Sequence, residues 1–404
     1  MRIAVVSWNR RKVGGTETYL DYIIRELTRA GHQVAFWHET DEPLSRDQIA
    51  LTEETPAWHV AEIGAEKALA ELRRWSPDVI FSHGLLAPRL EAATLEIAPG
   101  VFFGHGYYGT CISGTKTWSN PTTRPCDRAF GPKCFLHFYP HRCGGLNPLT
   151  MLSEYRRQSQ RLELLHRYAR VLAGSEHMRA EFARHGLNAR LVRLFVAPSS
   201  STSDWVAEPS HWRILFLGRM DRLKGGLSLL ESLPKISSVL KRPLHVTFAG
   251  DGPDRELWER RASNLRADLK DLSFDFPGWV TGDALESLLA ESDLLAMPSL
   301  WPEPFGLSGP QAGLRGVPAA AFAVGGISDW LKDGVNGFLA PADPPTLQGL
   351  ADAVIKCLRD PSVYLRLRSG AAKMAQSLSE KDHVSELIRI FEEVTVTTVQ
   401  NEKR

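Results

Sequence analysis

Residues 301–326 combine polar side chains, a helix start and glycine turns in an order that suits an anionic ligand. Glu303 lies in a Pro-rich turn and Gln311 comes eight residues later, so a helix opening here would separate the two side chains by about two turns. The apolar run 317–324 predicts a strand, and a pair of glycines follows it. This order brings backbone N–H groups toward one pocket, and it predicts a site for a ligand that carries phosphates.

Two cations in residues 218–225, Arg219 and Lys224, form a second candidate site. Their loop comes directly after a predicted strand and is flanked by glycines. The Arg guanidinium forks across two oxygens and the Lys ammonium supplies a point charge, an arrangement that suits a diphosphate. A solvated loop of mixed charge is the alternative, because Asp221 and Arg222 lie between the two cations.

Polar groups also follow strands in the N-terminal half. The Gly14-Gly15 pair lies between the first predicted strand and the first helix, where backbone can approach a phosphate closely. His105 ends the strand that begins at Val101, and its imidazole could hydrogen-bond a sugar hydroxyl or a phosphate. His83 occupies a similar place one strand earlier. Of the two, we expect His105 to be functional and His83 to be structural.

The composition is that of an ordinary globular chain. Its 404 residues suffice for two domains with buried cores, and its formal net charge of +1 provides no global field for nucleic acid or an anionic membrane. No apolar run approaches the ~20 residues that span a bilayer. The N-terminus predicts a short strand rather than a signal peptide. We expect a cytoplasmic protein without a transmembrane segment, and peripheral membrane contact stays open.

Predicted strands and amphipathic helices alternate along the whole chain. Residues 3–7 and 33–38 predict strands on either side of a helix with apolar residues at helical spacing. The same order restarts near residue 212, which predicts an α/β fold of two doubly wound, Rossmann-like domains facing across a cleft. The predicted parts are an N-terminal domain (1–196), a polar linker (197–204), a second domain (205–375) and a C-terminal helical segment (376–404).

Residues 301–326 resemble the donor-sugar motif of family 4 glycosyltransferases, retaining enzymes of the GT-B fold. Residues 218–225 resemble the Gly-Arg…Lys-Gly signature of that family, and the resemblance covers nearly the whole chain. It implies that Arg219 and Lys224 neutralise the leaving nucleoside diphosphate and that Glu303 holds hydroxyls of the transferred sugar. This chain has Gln311 where the family has a Glu that holds the ribose. The final helix of such enzymes usually crosses back onto the N-terminal domain.

The resemblance implies further donor contacts in both domains. Gly14 and Gly15 would contact the donor phosphate or sugar, and His105 would contact the donor sugar near its reacting carbon. Ser175 matches a serine at an interdomain strand end. For Trp279, core packing is an equally good alternative to a contact with the nucleobase. The remaining implied donor-binding residues are Gly250, Gly278, Val280, Phe305, Gly306 and Leu307.

Four of the five cysteines lie in one aromatic-rich insert, residues 104–150, after the His105 strand. Three interpretations of these cysteines are possible: a zinc site that includes His137 or His141, two disulfides, or unlinked thiols. We expect a structural cross-link or zinc rather than a catalytic metal, in a flap that overhangs the acceptor side of the cleft. A subset of family 4 enzymes is similar here. The four cysteines are Cys111, Cys126, Cys134 and Cys143.

The activity that the resemblance implies is transfer of a sugar from a nucleoside-diphosphate sugar, most commonly UDP-linked, to an acceptor hydroxyl with retained anomeric configuration. No nucleophile stands beside the donor motifs and no Asp-x-Asp motif indicates a catalytic metal. We therefore expect a front-side mechanism that requires no cofactor. The acceptor would be a glycan, a lipid-linked sugar or a small molecule, in bacterial polysaccharide or glycoconjugate assembly. Natural-product tailoring, a nucleotide-sugar epimerase and a non-catalytic sugar-nucleotide binder are the alternatives, and nucleic acid is not an expected partner.

Overall fold

The computed structural model describes residues 1–196, 209–378 and 380–402, and its N-terminal half contains a seven-stranded sheet. The strands of this half are β1 (Arg2–Asn9), β2 (Gln33–Thr40), β3 (Ala57–His59), β4 (Val79–Ser82), β5 (Gly100–Gly104), β6 (Thr117–Trp118), β7 (Arg124–Pro125), β8 (Arg170–Ala173) and β9 (Arg190–Leu191). Seven of them pair in parallel in the order β3-β2-β1-β4-β5-β8-β9, whereas β6 and β7 form an antiparallel hairpin. The predicted linker at 197–204 lies outside the described residues.

Helices connect the strands of this sheet. They are α1 (Gly15–Arg29), α2 (Val60–Ile63), α3 (Ala65–Trp75), α4 (Pro88–Thr94), α5 (Cys134–Phe138), α6 (Pro148–Arg167) and α7 (Glu176–Ala183). In α1, Leu20, Ile23, Ile24 and Leu27 recur at helical spacing and are buried in the same apolar core as Ile3 and Val5 of β1. The apolar runs on buried parallel strands and the amphipathic helices that cover them account for the layered fold.

The C-terminal half repeats this architecture with six strands. They are β10 (Trp212–Leu217), β11 (Leu244–Ala249), β12 (Leu272–Gly278), β13 (Leu294–Met297), β14 (Ala319–Phe322) and β15 (Gly337–Ala340), paired in parallel in the order β12-β11-β10-β13-β14-β15. The helices are α8 (Gly226–Leu240), α9 (Arg255–Asp268), α10 (Gly282–Glu291), α11 (Ser308–Gly313), α12 (Ile327–Trp330), α13 (Leu347–Leu358) and α14 (Pro361–Gln376), and a 3₁₀ turn spans Arg222–Lys224. The predicted α/β fold with two doubly wound domains is confirmed.

The last helix, α15 (Glu380–Glu402), packs on the N-terminal domain against α1 and β4. Phe391 meets Phe81 with ring centroids 5.0 Å apart, and His383 contacts Tyr19. The chain therefore returns to its first domain after completing the second. Among the described helices, none combines the length and the apolar character that crossing a bilayer requires.

The insert between β5 and α6 forms a small subdomain with a core of its own. Ile112, Phe130, Phe138 and Met151 are buried together there, so that α5 and the first turns of α6 share one apolar centre. A buried ion pair between Lys116 and Glu181 of α7 attaches this subdomain to the rest of the N-terminal domain. The insert is thus a packed unit fixed to the sheet, and not a loose loop.

Candidate active site

Lys224 and Glu303, one from each of the two candidate motifs, form an ion pair. The Lys224 Nζ lies 2.6 Å from Glu303 Oε1, and Glu303 is 6% exposed. The ammonium also lies 4.6 Å from the ring centroid of Trp301, a cation–π contact. The cation expected for a diphosphate and the carboxylate expected for a sugar therefore meet at one point of the C-terminal domain.

The loop that carries Lys224 is shaped by its neighbours. Asp221 caps the 3₁₀ turn, because its Oδ1 accepts from the backbone N–H groups of Leu223 and Lys224 at 3.0 and 3.1 Å. Gly225 has a φ of +72°, and a Cβ added there would lie 1.8 Å from the Pro298 carbonyl oxygen. The carboxylate between the two cations is thus a structural cap.

Arg219 and Arg222 point to different surroundings. The Arg219 side chain is 68% exposed, and its Nε lies 3.6 Å from Asp221 Oδ2. Arg222 instead donates to Thr123 Oγ1 and Ser119 Oγ, both at 2.8 Å, and these hydroxyls belong to the β6–β7 hairpin region of the insert. The loop of the second domain therefore contacts the insert of the first. This role of Arg222 could not be predicted from the sequence, since no local pattern marks a partner so distant in the chain.

Residues after Glu303 hold its loop from within the C-terminal domain. The Gly326 N–H donates to the Glu303 carbonyl at 2.6 Å, and Trp330 Nε1 donates to the Phe305 carbonyl at 2.7 Å. Gly326 of the glycine pair at 325–326 therefore binds the backbone of the Glu303 loop. Three of the predicted donor-binding residues belong to the main apolar core. Phe305 is buried in it, and Leu307 and Val280 are partly buried and pack against it.

Contacts from the N-terminal domain reach the same loop. The Tyr107 hydroxyl donates to the Pro302 carbonyl at 2.6 Å, and the Ser175 hydroxyl donates to the Pro304 carbonyl. Ser175 also caps α7 through the Met178 N–H. Both prolines flank Glu303, so the two domains fix the position of this carboxylate together. Tyr107 is a second residue at the site that no sequence motif indicated.

The predicted helix between Glu303 and Gln311 is wrong. The helix α11 begins only at Ser308, and the residues before it are irregular. Glu303 precedes Pro304, and a residue before proline is disfavoured in helical geometry, while Gly306 has a φ of +83°. Gln311 is half-buried on α11. Its role toward a ribose stays a prediction.

The two glycine turns after β11 and β12 lie against each other. Gly250 has a φ of +140°, and a Cβ added there would lie 1.9 Å from the Gly218 carbonyl oxygen. The Gly250 N–H donates to the Gly278 carbonyl at 2.7 Å. Trp279 follows this turn with 37% exposure, and the Arg46 guanidinium lies 4.1 Å from its ring centroid. Trp279 thus faces the N-terminal domain and is not packed in the core.

The first glycine loop faces the donor motif across the two domains. Gly14 precedes α1, and a Cβ added to Gly15 would lie 4.0 Å from Leu307 Cδ1. Glu17 in the first turn is 2% exposed. Burial raises the pKa of Glu17 to about 7, and hydrogen bonds from nearby backbone N–H groups, including that of Gly14, oppose this rise. A carboxyl group that titrates near neutrality therefore lies directly beneath the loop.

The half-buried His105 lies against the buried His83 at the sheet edge. Its Nε2 lies 2.9 Å from His83 Nδ1, and burial lowers the pKa of His105 to about 3, so the ring is neutral at pH 7. His383 of α15 donates from Nδ1 to the Arg193 carbonyl at 2.8 Å. Its Nε2 must then accept from the Tyr19 hydroxyl, also at 2.8 Å. Because the Tyr19 ring centroid lies 5.1 Å from that of His105, Tyr19 connects the final helix to the strand end that carries His105.

The four clustered cysteines line one small cavity. Cys111, Cys126, Cys134 and Cys143 surround a space of about 30 Å³ within the insert, and each is a free thiol in the structure. Burial and the three neighbouring sulfurs raise the pKa of Cys143 to about 12. No three His, Cys, Asp or Glu side chains in the described ranges are placed to share a metal ion. The state of these thiols in solution stays a prediction.

A larger cavity, of about 420 Å³, lies at the ends of β1 to β3. His38 and His59 stack in it with ring centroids 4.7 Å apart, and Arg10 lines it as well. Arg10 Nε, His38 Nδ1 and His59 Nε2 are buried there without a hydrogen-bond partner among the described atoms. The size of this cavity and its polar atoms without hydrogen-bond partners are suitable for binding a small polar ligand.

Two family models match consecutive parts of the chain. Residues 13–199 match Glycosyltransferase Family 4, and residues 211–360 match Glycosyl transferases group 1. Both halves of the chain therefore match glycosyltransferases. Together with the fold, these matches support a glycosyltransferase of family 4 type with the GT-B fold.

Curated relatives match this chain over part of their length. A 2-deoxystreptamine glucosyltransferase of Streptomyces kanamyceticus is 32% identical over 161 residues, 40% of each chain. A phosphatidyl-myo-inositol mannosyltransferase of Mycobacterium tuberculosis is 29% identical over 185 residues, 45% of this chain and 47% of that protein. An uncharacterized glycosyltransferase of Methanocaldococcus jannaschii is 32% identical over 143 residues, 35% of each. The chain thus matches less than half the length of these relatives.

Solved structures match over almost the whole chain. Sucrose-phosphate synthase from Thermosynechococcus elongatus superposes with a TM-score of 0.71 at 17% identity, covering 98% of this chain and 100% of that one. Anabaena HepE in complex with UDP-glucose superposes with a TM-score of 0.66 at 18% identity and the same coverage. At these identities the likeness concerns the fold, and the predicted GT-B architecture is confirmed.

Proposed function

We propose that this glycosyltransferase moves a hexosyl group from a UDP-sugar to an acceptor hydroxyl and retains the anomeric configuration. The observation that carries the proposal is the 2.6 Å ion pair between Lys224 and Glu303. One partner comes from the loop assigned to the diphosphate, and the other comes from the loop assigned to the sugar. A donor held there has its phosphates at the cation and its sugar hydroxyls at the carboxylate. HepE is a protein of the same fold, and its structure in complex with UDP-glucose supports the choice of UDP as the donor nucleotide.

In the proposed reaction, the bond from the sugar C1 to the phosphate oxygen breaks while a bond from C1 to the acceptor oxygen forms on the same face. The departing phosphate oxygen takes the acceptor's proton. Lys224 and Arg219 stabilise the negative charge that develops on the leaving diphosphate, and such fixed charges act strongly where water is excluded. Glu303 orients the sugar, and Gln311 hydrogen-bonds a ribose hydroxyl.

The acceptor binds on the N-terminal domain in this proposal. His105, which we assign to the donor sugar, is neutral and lies at the edge of this domain's sheet, so the acceptor would meet the reacting carbon beside it. The insert contacts the donor loop through Arg222, and an epimerase, which has no second substrate, would not need it. We assign the acceptor to a glycan or lipid-linked sugar of bacterial polysaccharide or glycoconjugate assembly. The mannosyltransferase relative, whose name includes a phospholipid, supports this class. The 2-deoxystreptamine glucosyltransferase relative supports natural-product tailoring, which is the second candidate.

A panel of nucleotide sugars tests the donor assignment by thermal shift. A ligand present at ~100 times its dissociation constant adds ~2.7 kcal/mol to stability, which a melting curve resolves. We expect UDP-sugars to raise the melting temperature more than GDP- or ADP-sugars do, and Lys224→Met to abolish the shift. If no nucleotide sugar stabilises the protein, the assignment of the diphosphate site is wrong.

A further inference from the structure

The insert and the first turns of α6 expose leucines to solvent. Leu136 and Leu146 are each 74% exposed, Leu149 is 75% exposed and Leu152 is 52% exposed. No other large apolar side chain in the described part of the protein exceeds 66%. Single exposed leucines are common on protein surfaces, but four within one short segment are not. Such a concentration marks a surface that contacts something apolar.

These leucines are held in place by the subdomain beneath them. The helix α6 starts at Pro148, and Asn147 caps it by accepting from the Leu149 N–H at 2.9 Å. Leu149, Leu152 and Arg156 follow one another at helical spacing and are all exposed, so they share one face of α6. The opposite face carries Met151, which is buried in the core of the insert. Leu149 and Leu152 therefore belong to an ordered helix face, and Leu136 lies on α5, which shares the same small core.

The same segment carries an excess of positive charge, although the whole chain has a net charge of only +1. Lys133, Arg142 and Arg156 are exposed and form no ion pair with a described residue. Between residues 124 and 161 there are seven basic residues and two acidic ones. The acidic residues are Asp127 and Glu154, and the basic ones are Arg124, Arg128, Lys133, Arg142, Arg156, Arg157 and Arg161. A cationic surface that is also rich in exposed leucine combines the two features of an interfacial membrane contact.

We propose that this leucine face, formed by Leu136, Leu146, Leu149 and Leu152 with Lys133, Arg142 and Arg156, docks on a bilayer that contains anionic lipid. The leucines enter the region between headgroups and acyl chains, and the cations pair with lipid phosphates. Nucleic acid would use the charges but would leave the leucines in water. Contact with a second copy of the chain would bring like charges together at the centre of the interface.

Docking on this face would hold against the membrane the same subdomain that contacts the donor loop. The insert that bears the leucines also contacts the donor loop, because Ser119 and Thr123 accept hydrogen bonds from Arg222 at 2.8 Å. An acceptor anchored in the same bilayer would therefore lie close to the cleft. This link to a lipid-linked acceptor rests on the proposed function, whereas membrane docking itself does not.

Co-sedimentation of the full chain with vesicles tests the docking without any substrate. We expect binding to vesicles of phosphatidylcholine mixed with phosphatidylglycerol, little binding to phosphatidylcholine alone, and weaker binding as salt is raised. The variants Leu149→Gln/Leu152→Gln and Arg142→Gln/Arg156→Gln should each weaken binding by about tenfold or more. The control is Leu257→Gln/Arg260→Gln on α9, where the two side chains are 44% and 69% exposed, and it should bind like wild type.

Melting temperatures and analytical ultracentrifugation of each variant complete the experiment. Unchanged melting temperatures show that lost binding does not reflect unfolding. The proposal is overturned if wild type does not bind, if it binds both vesicle types equally, or if the leucine variants bind like wild type. It is also overturned if those variants change only the oligomeric state, because the face would then be an interface between copies. Since no donor is present, these outcomes are independent of whether the protein transfers a sugar.

Discussion

The ammonium of Lys224 donates a 2.6 Å hydrogen bond to the carboxylate of Glu303. These residues come from different loops of the C-terminal domain, and Glu303 is almost fully buried. Because a buried carboxylate without a partner is costly, Lys224 has a structural role as well as the proposed role toward the diphosphate. The two roles can be separated by experiment.

Lys224→Met should lower both stability and turnover. The unpaired Glu303 should cost about 1–3 kcal/mol of the free energy of unfolding, and loss of a preorganised charge should cost about 3–4 kcal/mol in the transition state. The double variant Lys224→Met/Glu303→Gln should recover stability and stay inactive, and Lys270→Met at an exposed position serves as the control. Melting curves and steady-state turnover measure both effects. Turnover near that of wild type in Lys224→Met would remove Lys224 from the site.

Arg219→Ala should lower turnover without lowering stability. The Arg219 side chain is 68% exposed and its one carboxylate neighbour is 3.6 Å away, so the folded protein does not depend on it. The variant should nevertheless lose a positive charge that stabilises the leaving diphosphate. This loss should raise the activation free energy by about 3 kcal/mol, which lowers turnover by orders of magnitude. Arg222→Ala is the matched variant, and it should affect acceptor use more than donor binding. Equal turnover in wild type and Arg219→Ala would contradict the assignment.

Gln311→Glu should tighten the binding of a nucleoside diphosphate. A carboxylate accepts a hydrogen bond from a ribose hydroxyl more strongly than an amide does. Calorimetric titration of UDP into both proteins measures the difference, and Gln348→Glu on α13 controls for the added charge. Weaker binding would mean that the pocket is built around the amide, and no change would mean that Gln311 does not face the nucleotide.

Stability should fall as the pH is lowered, in part through His383. Burial lowers the pKa of His383 from 6.5 to about 4. Between these two pH values the imidazole is protonated in the unfolded chain and neutral in the folded chain, so the free energy of unfolding falls as the pH is lowered. Over this window, His383→Gln should reduce the slope of unfolding free energy against pH by up to about 1.4 kcal/mol per pH unit. Denaturant titrations at several pH values measure the slope, with His211→Gln at an exposed position as the control. Identical slopes in wild type and His383→Gln would contradict this burial argument.

Cys126→Ser/Cys134→Ser should destabilise the insert and weaken acceptor use, while donor binding stays close to that of wild type. The four sulfurs line one cavity in the N-terminal domain, whereas Lys224 and Glu303 lie in the other domain. Thiol counting and metal analysis on the purified protein separate free thiols, disulfides and zinc. Cys357→Ala, buried in the C-terminal domain, is the contrasting variant. Loss of donor binding on mild chelation, with the fold retained, would put a metal at the reaction centre.

The alternation of strands and helices was predictable because apolar runs and helical periodicity are local patterns. The meeting of Lys224 with Glu303 followed from motifs on two loops that the fold brings together. The prediction of a continuous helix from Glu303 to Gln311 was wrong, because Pro304 disfavours helical geometry at Glu303 and Gly306 has a positive φ. Contacts such as Arg222 with Thr123 were not predictable, since long-range pairing of side chains leaves no local pattern.

The stereochemistry of the first product tests the central claim most directly. Wild-type protein is incubated with the UDP-sugar that stabilises it most and with an acceptor found by screening, and proton NMR follows the anomeric signals from the earliest times. We predict release of UDP together with a glycoside that has the anomeric configuration of the donor, and no such product with Lys224→Met. A product of inverted configuration would contradict the front-side mechanism. Conversion of the donor to an epimer, or tight binding without consumption in the presence of every acceptor, would contradict sugar transfer itself.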